Sequence, residues 1–208
     1  MKIICYPSYT RRAAQLHGWG VLLLFVIAFV VVRLNQHTAS IVGLFVSLFA
    51  FGLCLKVLPH AQSWNIGYWG ERRVLKVLED LPDRYTGVTN FVVPGTAQGD
   101  IDLLLIGPMG ILVVEVKTYA GVIVYEKGRW WKRQTNGWKT RLPKNPSSQV
   151  HKNRKAILAY LKQEKERFPE LTRLFIPVEP VLVFVGAEEL DTRELDMVVL
   201  RYHLNNPG

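Results

Sequence analysis

Acidic residues are missing from the first 60 positions of this 208-residue chain, although 17 follow. Cysteine is nearly missing too. Cys5 and Cys54 stand far apart, which excludes a disulfide scaffold and a cysteine-based zinc site. There is no glycine-rich phosphate loop, no serine nucleophile elbow and no internal repeat. His151 and His203 are isolated, so no pair of histidine ligands is offered. Hydrophobic residues make up 49% of the chain, which excludes a disordered tail protein. What remains is basic, with a net charge of +9, and its charge is unevenly placed.

The first 59 residues hold five charges, all positive: Lys2, Arg11, Arg12, Arg33 and Lys56. Ala13 to Val32 is charge-free and closed by Arg33; Thr38 to Leu55 is charge-free and closed by Lys56 and Pro59. Each run has the length a helix needs to cross hydrocarbon. The short link Arg33–His37 predicts an antiparallel hairpin: a basic tail over 1–12, spans over 13–34 and 38–58, and contact with the lipid bilayer through 13–58. Lys2, Arg11 and Arg12 flank one outer end, and Lys56, Arg72 and Arg73 the other, while the link carries Arg33 alone. The positive-inside rule then places a two-span protein in the cell membrane with both termini cytoplasmic. A cleaved signal peptide would have a shorter apolar core and no second span. The spans contain no acid and so read as an anchor, not an ion pathway.

After position 59 there are 21 basic and 17 acidic residues. Trp64–Leu81 is periodic as a helix, with Val74, Leu75, Leu78 and Leu81 on one face. Glu71 breaks the pattern, because its spacing aims a carboxylate from that apolar face. Tyr85–Val93 reads as a strand. Two apolar runs around Gly107-Pro108-Met109-Gly110 read as a β-hairpin. With Gly107 opposite Gly110, Asp102 falls opposite Glu115 and Asp100 opposite Lys117. Opposed side chains are about 4.5–5.5 Å apart at Cβ, and like charges there repel. A hard cation such as Mg²⁺ or Mn²⁺ suits such carboxylates. The alternative is a structural ion cluster of Lys117 with the acids.

Beyond Gly121 the sequence predicts short outer strands, Val122–Tyr125 and a piece around Arg129–Arg133. Lys127 to Lys155 holds ten Lys or Arg and no acid, with Trp130, Trp131 and Trp138 interleaved. Lys127, Arg129, Trp131, Lys132, Arg133, Lys139, Lys144 and Lys152 are the candidate nucleic-acid contacts, phosphates for the cations and base faces for Trp131. An anionic lipid surface is the competing target. Asn145-Pro146 opens a helix as cap and first residue; Gln149 in its first turn could reach the carboxylates. Pro180–Gly186 and Met197–Tyr202 read as strands.

An Asp, a turn, then Glu-x-Lys on the paired strand resembles the PD-(D/E)XK nuclease arrangement, here Asp102 and Glu115-Val116-Lys117. The wider string resembles the nuclease-related domain (NERD) family: GYWGERRV around Glu71, GDIDLLLIGPMGILVVEVKTYAGVI, the segment with Trp131, and NPSSQVHKN. The resemblance covers about residues 64–204. It implies a restriction-endonuclease-like α/β fold, a mixed β-sheet flanked by helices. It also implies a core of Asp102, Glu115 and Lys117, with Glu71 and Gln149 accessory and Asp102 and Glu115 as metal ligands. Leu103 stands where relatives often carry His, but strand alternation points it away from Asp102. The expected function is Mg²⁺- or Mn²⁺-dependent phosphodiester hydrolysis at a membrane, with DNA ahead of RNA as substrate. The alternative is a non-catalytic tethered module that binds nucleic acid or a partner.

Overall fold

The computed structural model describes residues 1–6, 9–35, 45, 48–49, 51–52, 66–96 and 99–202. The chain divides into two compact units, Met1–Ser8 with Gly70–Gly208, and Tyr9–Trp69. In sequence, the second unit is an insertion into the first.

Within the inserted unit, helix α1 (Tyr9–Asn35) covers the first charge-free run, and its Leu22, Leu23, Phe25 and Phe29 are exposed. Among the described residues no helix is long and apolar enough to cross a membrane. Several α1 side chains and nearly all of 36–65, including the second expected span, lie outside the described residues. The transmembrane hairpin is thus not shown.

The other unit is built on eight strands in one mixed sheet: β1 (Lys2–Cys5), β2 (Thr86–Phe91), β3 (Ile101–Gly107), β4 (Gly110–Glu126), β5 (Arg129–Arg133), β6 (Lys139–Arg141), β7 (Val178–Asp191) and β8 (Val198–Tyr202). Across the sheet the order is β1-β2-β3-β4-β7-β8, and β5-β6 attach to the far half of β4. The pairs β1–β2, β4–β7 and β7–β8 are parallel; the rest are antiparallel. Two helices belong to this unit's cores: α2, helical over residues 66–78, and α3 (Pro146–Arg167). An α/β fold with a mixed sheet flanked by helices is what the sequence predicts.

Two expectations are corrected. Lys2–Cys5, placed in the basic tail, form an edge strand. β1 pairs with Thr86–Thr89, and the Met1 ammonium donates to Leu81 O at 2.8 Å and Asp83 Oδ1 at 3.2 Å. Tyr6 continues the docking, its N–H reaching Thr89 O at 3.2 Å and its ring meeting Phe91 edge-on. The reason is that the backbone groups along β2 need partners, which a β-branched segment supplies. Second, no break separates Val122–Tyr125 from the hairpin. β4 runs through, and Gly121, at φ +88°, takes up an irregularity against β7 between Thr118 and Val122.

The sheet is covered on both faces. Ile101, Leu104, Ile111 and Val113 pack with Val150 and Ile157 of α3. Leu103, Val114, Val116, Val181 and Val183 pack with Val74 of α2. A third cluster joins Ile123, Trp130, Leu182 and Phe184, with the Trp130 and Phe184 rings 4.9 Å apart. Each fully buried large side chain contributes about 1.5–3 kcal/mol. Continuous Val and Leu content along β4 and β7 follows from this double cover.

Candidate active site

The hairpin register is the expected one. Gly107 pairs with Gly110 and the ladder runs in step to Leu103↔Val114. One further step sets Asp102 across from Glu115. There β3 parts from β4, and β5 joins β4 only from Val122. At this opening Asp102 Oδ2 accepts the Val116 N–H at 2.7 Å, in place of a strand carbonyl. Val113 faces α3, so strand alternation along β4 puts Glu115 and Lys117 on that face too.

Glu71 arrives from α2. The preceding residue, Gly70, is buried against β4: a Cβ there would lie 2.0 Å from Thr118 Oγ1. Only glycine allows this approach. Thr118 Oγ1 is itself buried without a hydrogen-bond partner. Glu71 then feels Asp102, Asp100, Glu115 and Lys117.

Glu115 is the pivot. It is 0% exposed, takes the Lys117 ammonium on Oε1 at 2.5 Å and the Asn153 amide on Oε2 at 3.2 Å. Burial and the Asp102 charge nevertheless outweigh Lys117 and push its pKa from 4.5 up to about 8. Burial, then Asp102, Asp100 and Glu115, push Glu71 up to about 8 as well. Burial also raises Asp102, against the pull of Lys117 and the Val116 N–H. For Lys117, burial works downward, but Glu115 and Asp102 prevail and its pKa is raised. Negative charge exceeds positive in the cluster, and the excess is stored as protonation.

Hard carboxylate oxygens with a shortage of positive charge fit Mg²⁺ or Mn²⁺ in kind. As the side chains stand, however, no group of three or more acidic, His or Cys side chains placed to hold a metal occurs among the described residues. Glu115 Oε1 is engaged by Lys117 instead.

Among the described residues no hydrogen bond brings Gln149 to the carboxylates. Asn153, one turn later, makes that contact. Its signal in the sequence is its position, three after Val150 and four before Ile157, on the apolar side of α3. The expected cap is present: Asn145 accepts from Ser148 N at 3.3 Å, with Pro146 next.

The basic stretch divides. On β5–β6 the pairs Trp131↔Arg141 and Arg133↔Lys139 share one face, and Lys132↔Thr140 lie on the other. Trp130 is core, 1% exposed, whereas Trp138 at the β5–β6 turn is 75% exposed. Lys139 pairs with Glu126 at 2.5 Å and Arg133 with Glu189 at 3.6 Å. The Lys127 N–H donates to Glu194 Oε2 at 2.9 Å. Arg129, Lys132, Arg141, Lys144 and Lys152 have no ion pair among the described residues. Glu126 borders the stretch, but Glu189 and Glu194 lie far beyond it in the chain, so spacing within the stretch could not reveal them.

The family model described as nuclease-related domain (NERD) matches residues 66–185, more than half of the chain. No curated protein and no solved structure matches it.

Proposed function

This chain belongs to the nuclease-related domain family, and on that premise we propose that it is a membrane-anchored nuclease that hydrolyses phosphodiester bonds with the help of a divalent cation. The observation that carries this reading is the convergence of Glu71, Asp102, Glu115 and Lys117 at the opening between β3 and β5, with Glu71 and Glu115 held at about 8. Perturbed carboxylates gathered at one point of a fold are characteristic of reacting centres.

Asp102 and Glu115 would hold Mg²⁺ or Mn²⁺, with Glu71 beside them. A cation bound there supplies polarisation of the phosphate and a bound water of lowered pKa. Lys117, with its raised pKa, stays protonated near neutrality. Its part is that of a hydrogen-bond donor and positive charge for the phosphoryl oxygens, not of a general base. Asp102 keeps its place through the Val116 N–H. The cations Lys132, Arg141, Lys144 and Lys152 would follow the nucleic-acid backbone. No base-reading motif is present, which favours action without sequence preference. DNA is proposed ahead of RNA.

The anchor is the pair of charge-free runs within 13–58. β1, before the insertion, and β2, after it, pair in one sheet; a two-helix hairpin, which crosses twice, agrees with that pairing.

The Glu115–Lys117 ion pair favours a second reading, a non-catalytic module with a structural charge cluster. A cleavage assay on the full chain in detergent decides between them, using DNA and RNA panels with Mg²⁺, Mn²⁺ or chelator. Divalent-dependent cleavage that Glu115→Gln abolishes is expected. No cleavage, together with Glu115→Gln melting higher than wild type with and without Mn²⁺, favours the second reading.

A further inference from the structure

α3 delivers one polar side chain to the sheet that the scheme above leaves without a task. Asn153 is 3% exposed and lies among the apolar residues that α3 sets on β3 and β4. An amide in such a place is costly unless its donors are used. Its Nδ2 donates to Glu115 Oε2 at 3.2 Å, while Lys117 Nζ holds Oε1 at 2.5 Å. Glu115 is thus gripped from two directions, by its own strand and by a helix.

The helix is itself fastened at the end nearest Asn153. Trp130 Nε1 donates to Ser147 Oγ at 2.5 Å inside the core, and Asn145 Nδ2 reaches Gly128 O at 3.2 Å. Leu142 N–H meets Trp130 O at 3.0 Å. These bonds tie the α3 N-terminus to the β4–β5 turn, and Asn153 stands less than two turns beyond Ser147. A short side chain on a fixed helix has little freedom, so its amide sets the rotation of the Glu115 carboxylate.

We propose that Asn153 is a positioning residue: by holding Oε2 of Glu115 it fixes the rotation of that carboxylate in the centre proposed above. The proposal rests on the reading of Glu115 as part of that centre. Partners of this kind typically change metal affinity or activity by about 10–100-fold when removed.

The test compares full-length wild type with Asn153→Leu, which has similar size and no donor. Mn²⁺ is titrated by thermal shift, and kcat and KM are measured on the nucleic acid that the wild type cleaves. The Mn²⁺ midpoint should rise about tenfold and kcat should fall at least about tenfold, with KM for nucleic acid within about twofold. A residue that only packs would lower the metal-free melting temperature and leave the Mn²⁺ midpoint and kcat unchanged; that result overturns the proposal. If Asn153→Leu does not fold, Asn153→Ser replaces it, its hydroxyl being too short to reach Glu115. The two failures are distinct. A wild type without Mn²⁺ shift and without cleavage sinks the nuclease reading and this proposal with it. A wild type that responds, with a variant that responds equally, sinks only the role of Asn153.

Discussion

Glu115 shows how one residue can be both paired and unsatisfied. Lys117 and Asn153 bind its oxygens, yet burial and Asp102 hold its pKa at about 8. A carboxyl whose folded pKa lies above its unfolded value stabilises most when protonated. The contribution of Glu115 and Glu71 is therefore complete below about pH 4.5 and is lost as pH rises through about 8. Metal-free protein should melt lower at pH 8.5 than at pH 6, and Glu115→Gln should flatten that trend. Millimolar Mn²⁺ should raise the wild-type melting temperature most at pH 8.5, where the ligands are ionised, and leave Glu115→Gln unmoved. A metal-free melting temperature that climbs between pH 6 and 8.5 would contradict this account. Lys117→Ala should separate the roles, abolishing cleavage while Mn²⁺ binds as well or more tightly, since a neighbouring positive charge is gone. Gly70 supplies a steric counterpart. Gly70→Ala places a methyl 2.0 Å from Thr118 Oγ1, so the buried Thr118 side chain or α2, with Glu71, must give way. Cleavage should fall by roughly tenfold or more, since displacements of this size cost about that; Thr118→Ser/Gly70→Ala, which leaves the hydroxyl, should not recover it, but Thr118→Ala/Gly70→Ala should recover part.

Among the elements, the β5–β6 ribbon has the clearest division of labour. Its cations look alike in sequence, but Arg133 and Lys139 are drawn to Glu189 and Glu126. Lys132, Arg141 and Lys144 have no such partners among the described residues. Ala at these last three should weaken binding to unrelated sequences about equally. It should lower the salt slope by about 0.7–0.9 for each phosphate that the variant no longer neutralises. Ala at Arg133 and Lys139 should change the slope less, because their charge is already partly neutralised. Equal slopes for the two sets of variants, measured by fluorescence anisotropy from about 50 to 200 mM salt, would refute the division. Loss of binding to anionic vesicles, with nucleic-acid binding intact, would assign the ribbon to lipid. β4 is the other decisive element. Its continuity past Gly121 puts the carboxylate cluster and the basic ribbon on one strand.

For the whole molecule, the order of the chain matters more than its length. β1 precedes the Tyr9–Trp69 insertion and completes the sheet beside β2. A fragment of residues 60–208 removes β1 and leaves the Thr86–Phe91 edge uncovered. It should melt several degrees below a chain in which residues 1–8 are joined by a flexible linker to residue 66; a loss of about 1 kcal/mol corresponds to about 2–4 °C at this size. Equal melting temperatures would show β1 to be dispensable. The same order bears on topology. Reporters fused at Gly208 and before Met1 should give the same, cytoplasmic, signal, and one within Asn35–His37 the opposite. Opposite signals from the two termini would overturn the two-span reading.

Much of the centre was legible in the sequence because it depends on local rules. Pro108-Met109 between two glycines sets the hairpin register, which holds to Leu103↔Val114 and leaves Asp102 and Glu115 one step beyond. Asn145-Pro146 announces its helix in the same way. Glu71 stood out because it interrupts an apolar periodicity. What only the tertiary structure decided depends on contacts between residues far apart in the chain. The N-terminal residues become a strand because β2, far along the chain, has an open edge. Trp130 is core and Trp138 is exposed although both sit among cations. Arg133 and Lys139 are neutralised by acids from β7 and β4. Asn153, and not Gln149, reaches Glu115, because the rotation of α3 is set by Trp130, Ser147 and the buried face it shares with the sheet. Local spacing carries the register of neighbours; it carries no distance between elements, and those distances choose the partners.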